Sequence, residues 1–212
     1  MLNKICDCVY TYESDDITDL VNAALAAGIP AREILLNGLT KGMEAVGESF
    51  KEGDYFVPEV LMAAQTMADG LEIIKPLLAE DQDEGVKRGK VVIGTVKGDV
   101  HDIGKKLVAM FMEGAGYDVV DLGIEVPAET FIEQALALNA DYLCMSAMLT
   151  TTMKQMNIIT GQLKDQAADR HITPVVGGAP VTQKFAEELG ARFAFDAAAA
   201  VDLLKSLDET NV

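Results

Sequence analysis

The sequence predicts an α/β fold in which an N-terminal four-helix bundle over residues 1–88 precedes a five-stranded parallel sheet domain over residues 89–212. Three observations support this. Apolar residues recur at helical spacing before residue 88. The polar segment Asp81–Arg88 is typical of a linker. After it, β-rich and helical segments alternate five times, which is typical of a parallel sheet covered on both faces.

Four helical segments with short connections make up the predicted bundle. Pro58 favours a first helical turn, and Gly28 and Gly53 favour helix ends. The first segment runs from Leu2 to Tyr12. The apolar faces of the other three comprise Leu20, Val21, Ala24 and Leu25, then Leu35, Leu39, Met43, Val46 and Phe50, then Val60, Leu61, Ala64, Met67, Leu71 and Ile74.

Five short strands are predicted for the second half of the chain. They are Val91–Val96, Tyr117–Leu122, Tyr142–Ser146, Pro174–Gly177 and Arg192–Phe195. Helices are predicted at 104–115, 128–138, 152–166, 182–189 and 197–207. Because ligands of such sheets bind beyond the carboxyl ends of the strands, the loops after strands 1, 3 and 4 are candidates for a functional site.

The composition disfavours several function classes. Asp and Glu number 34 against 17 Lys and Arg, and the resulting charge of −17 repels nucleic acid and anionic membranes. No apolar run approaches the roughly 20 residues that span a bilayer, and the first residues do not resemble a signal peptide. Cys6, Cys8 and Cys144 are too few for a disulfide framework. We therefore expect a cytoplasmic protein that binds neither nucleic acid nor membrane.

The loop after the first strand contains Asp99-x-His101-x-x-Gly104. Its glycines fit neither the dinucleotide-binding fingerprint nor the P-loop. His101 is one of only two histidines, and Asp99 is close enough in sequence to fix its tautomer and raise its basicity. A metal ligand and an ordinary hydrogen-bonded loop histidine are both compatible with this pattern. A conventional zinc site is not supported, because no second His or Cys stands at ligand spacing.

The loops after the third and fourth strands are low in bulk. Ser146 and the run Thr150–Thr152 place small hydroxyl groups after one strand, and Gly177-Gly178 follows the next. Glycines let a large flat molecule approach the backbone, although helix caps and a tight turn explain the same residues. Together the three loops predict a deep slot for a large ligand.

These motifs resemble the signature of the cobalamin-binding domains of methionine synthase. They are especially similar to the corrinoid proteins of methylotrophic and acetogenic methyltransferase systems. The signature is Asp99-x-His101-x-x-Gly104, then Ser146-x-Met148, then Gly177-Gly178, and Val46–Phe50 with Tyr55–Leu61 resembles the family's helical cap. The resemblance covers nearly the whole chain and implies a flavodoxin-like (Rossmann-type) sheet domain that binds cobalamin.

The resemblance implies a base-off corrinoid with His101 as the lower axial ligand of cobalt. Asp99 matches the carboxylate that holds this histidine, and Thr152 stands where methionine synthase has a serine, so the three are expected to act as the catalytic relay. Further cofactor contacts are expected from Gly98, Val100, Asp102, Ile103 and Gly104, from Ser146, Met148 and Thr150, from Gly177, Gly178 and Ala197, and from Phe50 and Val57 of the cap, which match positions that shield the methyl face.

The same resemblance implies a methyl carrier. It would accept a methyl group on cob(I)alamin from a substrate-specific methyltransferase and present methyl-cob(III)alamin to a second methyltransferase, whose acceptor is tetrahydrofolate or coenzyme M. A reductive activator of cob(II)alamin is a further expected partner, and little activity is expected of the chain alone. A cobalamin-dependent sensor, the carrier domain of a radical mutase and a nucleotide-binding domain without cobalt are the alternatives.

Overall fold

The computed structural model of the protein describes residues 1–80, 88–167 and 169–210. The predicted linker Asp81–Arg88 lies outside these residues, apart from Arg88. The chain divides into two compact units. The helical unit comprises Met1–Lys87 with Glu113–Gly116, and the sheet unit comprises Arg88–Met112 with Tyr117–Val212. Within the described ranges, no helix is both long enough and apolar enough to cross a bilayer.

The helical unit is built from the amphipathic segments that the spacing of apolar residues predicts. Its elements are α1 (Leu2–Tyr10), α2 (Ser14–Ala26), α3 (Ala31–Ile34), a π-helical turn (Leu35–Thr40), α4 (Lys41–Glu52) and α5 (Val57–Glu80). Ile5, Ile17, Leu39, Val46 and Ile74 are fully buried and form the centre of its core. Gly53 ends α4 in the left-handed conformation, as a helix-stopping glycine does.

The third predicted helical segment differs from the prediction, because it contains the π-helical turn Leu35–Thr40 between α3 and α4. Leu35, Leu39 and Met43 are each four residues apart. In a straight α-helix, residues four apart drift around the axis by about 40°. The wider turn of a π-helix reduces this drift, so that all three side chains stay buried.

The sheet unit confirms the predicted alternation of strands and helices. Its elements are β1 (Lys90–Thr95), α6 (Ile103–Gly114), β2 (Asp118–Asp121), α7 (Ala128–Ala137), β3 (Tyr142–Ser146), α8 (Lys154–Gln166), β4 (Thr173–Gly177), α9 (Gln183–Leu189), β5 (Arg192–Phe193) and α10 (Ala197–Thr210). In the described residues the strands pair in parallel in the order β2-β1-β3-β4-β5. This is the doubly wound order of flavodoxin-like folds.

Helices cover both faces of this sheet. On one face, Leu143 of β3 packs in a cluster with Phe131 of α7 and Ile159 of α8. Successive strand residues point to opposite faces, so Tyr142 lies on the other face. There its hydroxyl donates to Asp208 of α10.

The fifth strand is shorter than predicted. It ends at Phe193, although the N–H of Ala194 still donates to the carbonyl of Val176 at 3.1 Å. Asp196 then accepts from the N–H of Ala199 at 2.7 Å and begins α10. Phe195 therefore lies in a loop at the carboxyl edge of the sheet and is 74% exposed.

Candidate functional site

The candidate site lies at the carboxyl edge of the sheet unit, between β1 and β3. The chain leaves β1 towards β2 on one side, and β3 lies on the other side of β1. Connections diverge at such a point and open a crevice beyond the strand ends. The loops that follow β1 and β3 border this crevice, and they contain Asp99, His101 and Thr152.

Asp99 joins these two loops. Its side chain is fully buried, and one carboxylate oxygen, Oδ1, accepts from the backbone N–H of His101 at 3.1 Å and lies 2.7 Å from Nδ1 of the same residue. The other oxygen, Oδ2, accepts from the N–H of Met148 at 2.7 Å and from the hydroxyl of Thr152 at 3.0 Å. One carboxylate thus fixes the loop that carries His101 against the loop of the neighbouring strand.

These hydrogen bonds also set the charge of Asp99. Burial alone raises the pKa of this carboxyl group, but hydrogen bonds from the His101 ring, the two backbone N–H groups and Thr152 outweigh it and lower the pKa to about 2. Asp99 is therefore ionised at neutral pH. A carboxylate only accepts hydrogen bonds, so in a neutral imidazole Nδ1 of His101 carries the proton and Nε2 carries the lone pair.

His101 is placed to use that lone pair. Its side chain is 51% exposed, whereas its carboxylate partner has no exposed surface. The hydroxyl of Thr95 donates to the main-chain oxygen of His101 at 2.9 Å and fixes the loop from the strand side. The tautomer and the ring orientation are therefore preset, as in the carboxylate–histidine pairs of metal sites.

Thr152 contacts its neighbours through its hydroxyl group, as a serine would, and also through its methyl group, which a serine lacks. Its hydroxyl lies within hydrogen-bond distance of Asp99 and also of the Leu149 carbonyl at 2.8 Å, so its single proton is shared between two acceptors. Its methyl group lies 3.4 Å from the position that a Cβ on Gly98 would occupy. Gly98 has a left-handed backbone with φ of +86°, so the methyl group packs against a turn that favours glycine.

The other predicted glycines fall into two kinds. A Cβ on Gly104 would meet no atom within 4 Å, so the space beside the first turn of α6 is open. A Cβ on Gly178 would lie 2.0 Å from the Ala147 oxygen, and one on Gly177 would lie 2.9 Å from the Ala194 oxygen. Close packing of neighbouring backbones therefore explains Gly177 and Gly178 without a ligand, in contrast to Gly104.

Exposed apolar side chains lie on several loops of the sheet edge that carries His101. Three of them, Val100, Ile103 and Met148, are predicted cofactor contacts. Three more, which sequence reasoning missed, follow β2, β3 and β5. The exposed fractions are 60% for Val100, 70% for Ile103, 44% for Ile124, 40% for Met148, 41% for Leu149 and 74% for Phe195. Such a concentration of exposed apolar surface marks a binding site.

The remaining predicted contacts are distributed as follows. Ser146 is half-buried at the end of β3, and Thr150 is exposed in the loop after it. The Asp102 carboxylate is bonded to Lys106 at 2.6 Å, and Ala197 is buried at the start of α10. Phe50 and Val57 are half-buried in α4 and α5 of the helical unit.

Sequence reasoning also missed an ion pair in which a buried lysine beside the site bonds to a partly exposed aspartate. The Lys105 side chain has no exposed surface, and its ammonium group donates to both carboxylate oxygens of Asp121. A signal for it existed, because Lys105 shares the inward face of α6 with Ala109 and Met112 at helical spacing. A charged residue that is buried on an apolar face indicates a partner of opposite charge.

Comparison with known proteins agrees with this geometry. Models of B12 binding domains match residues 89–203 and residues 1–75. The trimethylamine corrinoid protein 1 of Methanosarcina acetivorans is 41% identical over 191 residues, which cover 90% of this chain and 88% of the relative. The dimethylamine corrinoid protein of Methanosarcina barkeri is 38% identical over 208 residues, which cover 98% and 97%.

A solved structure is similar along nearly the whole chain. The methanol:cobalamin methyltransferase complex MtaBC from Methanosarcina barkeri matches with a TM-score of 0.86 and 30% identity, over 97% of this chain and 78% of that chain. The fold and site thus define a B12-binding protein with a helical region before a flavodoxin-like sheet. The chain belongs to the corrinoid proteins of methyltransferase systems. It is a methyl carrier, as the resemblance in its sequence implies, and the sensor alternative is not supported.

Proposed function

We propose that the chain binds its corrinoid in the base-off form, with Nε2 of His101 as the lower axial ligand of cobalt. The observation that carries this proposal is the pair formed by the buried, ionised Asp99 and Nδ1 of His101, which leaves Nε2 without this partner on a side chain that is 51% exposed. An ordinary loop histidine does not need a buried carboxylate that is itself held by three further donors.

The surroundings of His101 fit a large macrocycle. The open space beside Gly104 accommodates a ligand against the first turn of α6. The exposed side chains of Val100, Ile103, Met148 and Phe195 offer apolar surface, which a flat ring can cover. When bound, the corrinoid supplies the cobalt to which methyl groups are attached and from which they are removed.

The residues of this chain control the lower face of that group. Asp99 holds the proton on Nδ1 and therefore keeps Nε2 able to bind a metal. Thr152 donates to the second oxygen of Asp99 and keeps the carboxylate in place beside the ring.

We further assign the remaining predicted contacts to the two ends of the cofactor. Ser146, Thr150 and Gly104 would contact the detached nucleotide tail, together with Gly177, Gly178 and Ala197. Gly98, Val100, Asp102, Ile103 and Met148 would contact the lower side of the ring. Phe50 and Val57 of the helical unit would shield the methyl face of the cobalt.

The proposed partners are three proteins. A substrate-specific methyltransferase would supply the methyl group, a second methyltransferase would pass it to tetrahydrofolate or coenzyme M, and a reductive activator would restore oxidised cobalt. The similarity to the methanol:cobalamin methyltransferase complex MtaBC supports a methyltransferase partner. The cysteines Cys6, Cys8 and Cys144 are free, which agrees with action in the reducing cytoplasm.

Electron paramagnetic resonance of cob(II)alamin bound to uniformly ¹⁵N-labelled protein tests the ligand assignment. A protein nitrogen on cobalt gives a doublet splitting from ¹⁵N, whereas the unlabelled base of the cofactor gives a ¹⁴N triplet. We expect the doublet in the wild-type protein and its loss in His101→Ala. His171→Ala is the matched control, because His171 is the second histidine and lies in an exposed loop.

Three outcomes would contradict the proposal in different ways. A triplet in the wild-type protein would show that the cofactor keeps its own base. A doublet that survives His101→Ala would assign the ligand to another residue. A folded wild-type protein that retains no corrinoid after desalting would overturn the site as a whole.

A further inference from the structure

An ion pair joins Lys105, whose side chain is buried, to Asp121, whose side chain is 32% exposed, and it connects α6 to the carboxyl end of β2. The ammonium group of Lys105 donates to both carboxylate oxygens, and its side chain is inaccessible to solvent. Burying an ammonium group costs several kcal/mol unless its partner compensates for the lost hydration, and an apolar residue of similar size is often at least as stable. General stability is therefore a weak reason for a lysine at this position.

Asp121 extends the connection into the loop of residues 122–127. It is the last residue of β2, and its Oδ1 also accepts from the N–H of Gly123 at 2.8 Å. Two other charged groups face the pair. Lys106 is attracted by Asp121 and bonded to Asp102, and Asp102 is in turn attracted by Lys105.

The same loop contacts the residue that holds His101. The N–H of Glu125 donates to the main-chain oxygen of Asp99 at 3.1 Å, and the Gly123 oxygen accepts from the N–H of Thr95 at 3.0 Å. Glu125 has φ of +52°, in the left-handed region that residues with a side chain rarely adopt. Such backbone persists only where the surroundings fix it, and it is concentrated at functional sites.

We propose that Lys105 is a positioning residue for His101. Through Asp121 it holds loop 122–127 in the conformation that presents the Glu125 N–H to the main chain of Asp99, and this fixes the Asp99–His101 pair toward the cofactor. Lys105 acts through other residues and is not among the expected cofactor contacts. The inference rests on the proposed role of His101. Its first part, that Lys105 holds loop 122–127, concerns the unloaded protein alone. Its second part is that this loop holds the Asp99–His101 pair toward the cofactor.

Hydrogen exchange of backbone amides in the unloaded protein tests that first part. In Lys105→Met we expect the amides of Gly123 and Glu125 to exchange at least tenfold faster. The amides of Met145 and Val176 in the central strands are expected to keep their rates. Lys106→Met is the matched control, because it removes the ammonium group of the neighbouring lysine, whose side chain is 56% exposed.

The second part is tested on the loaded protein, with the doublet from the protein nitrogen as readout. We expect Lys105→Met to lower the fraction of cob(II)alamin with this doublet at least threefold, and Lys106→Met to leave it unchanged. If Lys105→Met does not fold, the double variant Lys105→Met, Asp121→Leu replaces the pair with apolar groups and leaves neither charge unpaired. We expect this double variant to show the same two effects, which are faster exchange at Gly123 and Glu125 and a smaller fraction of cob(II)alamin with the doublet.

Unchanged exchange at Gly123 and Glu125 would overturn the inference. A uniform rise that includes Met145 and Val176 would also overturn it, because it would show that the pair only stabilises the fold. Faster exchange at the loop with an unchanged doublet would overturn the link to His101. If the wild-type protein itself shows no doublet, the proposed function fails, and the exchange experiment still decides whether Lys105 holds the loop.

Discussion

Asp99 shows how one side chain can organise two loops of this protein. Its two oxygens accept from groups in the loops that follow β1 and β3, and its side chain is fully buried. In the unloaded protein we expect Asp99→Asn to lower the free energy of unfolding by about 2–3 kcal/mol. The amide NH₂ replaces one acceptor oxygen, so it faces donors that cannot bond to it.

Urea unfolding of the unloaded protein measures this effect. Asp102→Asn is the control, because the ion pair of Asp102 with Lys106 is partly exposed, and we expect this variant to change stability by less than about 1 kcal/mol. Equal losses in the two variants would show that the buried network around Asp99 has no special importance.

We expect Gly104 and Gly178, two glycines of the site, to respond in opposite ways to substitution by alanine. Gly104 lies in the first turn of α6 with open space beside it, so we expect Gly104→Ala to stabilise the unloaded protein by about 0.5–1 kcal/mol through helix propensity. The same methyl group would occupy space assigned to the cofactor. We therefore expect weaker retention of hydroxocobalamin, measured by equilibrium dialysis, and tighter retention would contradict the assignment.

Gly178 is constrained by the fold itself. Its φ of +122° and the 2.0 Å approach of the Ala147 oxygen exclude any side chain. We expect Gly178→Ala to destabilise the unloaded protein by more than about 3 kcal/mol, since the backbone of one loop must move. Thermal unfolding without cofactor measures this, and a loss below about 1 kcal/mol would show that the loop relaxes freely.

At the scale of whole elements, the sequence predicts most strands and helices because hydrophobic periodicity records which faces are buried. The first strand is predicted at Val91–Val96 and lies at Lys90–Thr95. Periodicity does not record the hydrogen-bonding pattern of a helix, so the π-helical turn was not predictable. The helical pattern of α6 indicates that Lys105 needs a partner, but that the partner is Asp121 of β2 depends on tertiary packing, which no local pattern contains.

The site is predictable to a similar extent. His101 stands out because histidine is scarce, and Asp99 because it is near His101 in sequence. The hydrogen bond of Asp99 to Thr152 joins residues 53 positions apart and follows from the parallel pairing of β1 and β3. Exposed Phe195 belongs to a predicted strand that ends early, so sequence alone assigns it to the sheet.

The anchoring of α10 to the sheet leads to a prediction about alkaline pH. The hydroxyls of Tyr117 and Tyr142 both donate to Asp208. Burial first, and then the hydrogen bond to Asp208 and its negative charge, raise the pKa of both tyrosines above the ordinary value. As pH rises, the unfolded chain therefore loses these protons before the folded one, and stability should fall above about pH 10.

Urea unfolding between pH 8 and 11 measures this loss. We expect the fall to be smaller in Tyr117→Phe and Tyr142→Phe, because each variant removes one of the two phenols. Burial also raises the pKa of Tyr55 to about 12, so part of the fall should remain. Tyr12→Phe, at an exposed position, is the control. If stability falls with pH as steeply in both core variants as in the control, the bonds of these two tyrosines to Asp208 of α10 do not cause the fall.

At the scale of the whole molecule, the charge of −17 opposes folding through self-repulsion. Half of the acidic residues but only about a third of the basic ones lie in residues 1–87, so the excess is greatest in the helical half. Salt screens such repulsion over a Debye length that falls from about 30 Å at 0.01 M to about 3 Å at 1 M. We therefore expect the melting temperature to rise with sodium chloride over this range.

Charge variants separate this screening from a general effect of salt on the hydrophobic core, which also stabilises folded proteins. Asp19→Asn with Glu72→Gln removes two exposed negative charges from the helical unit and should make the rise smaller. Lys184→Gln removes a positive charge whose side chain is 87% exposed and should make the rise larger. Equal salt dependence in all three proteins would assign the rise to the core, and opposite changes in the two variants would assign it to the net charge.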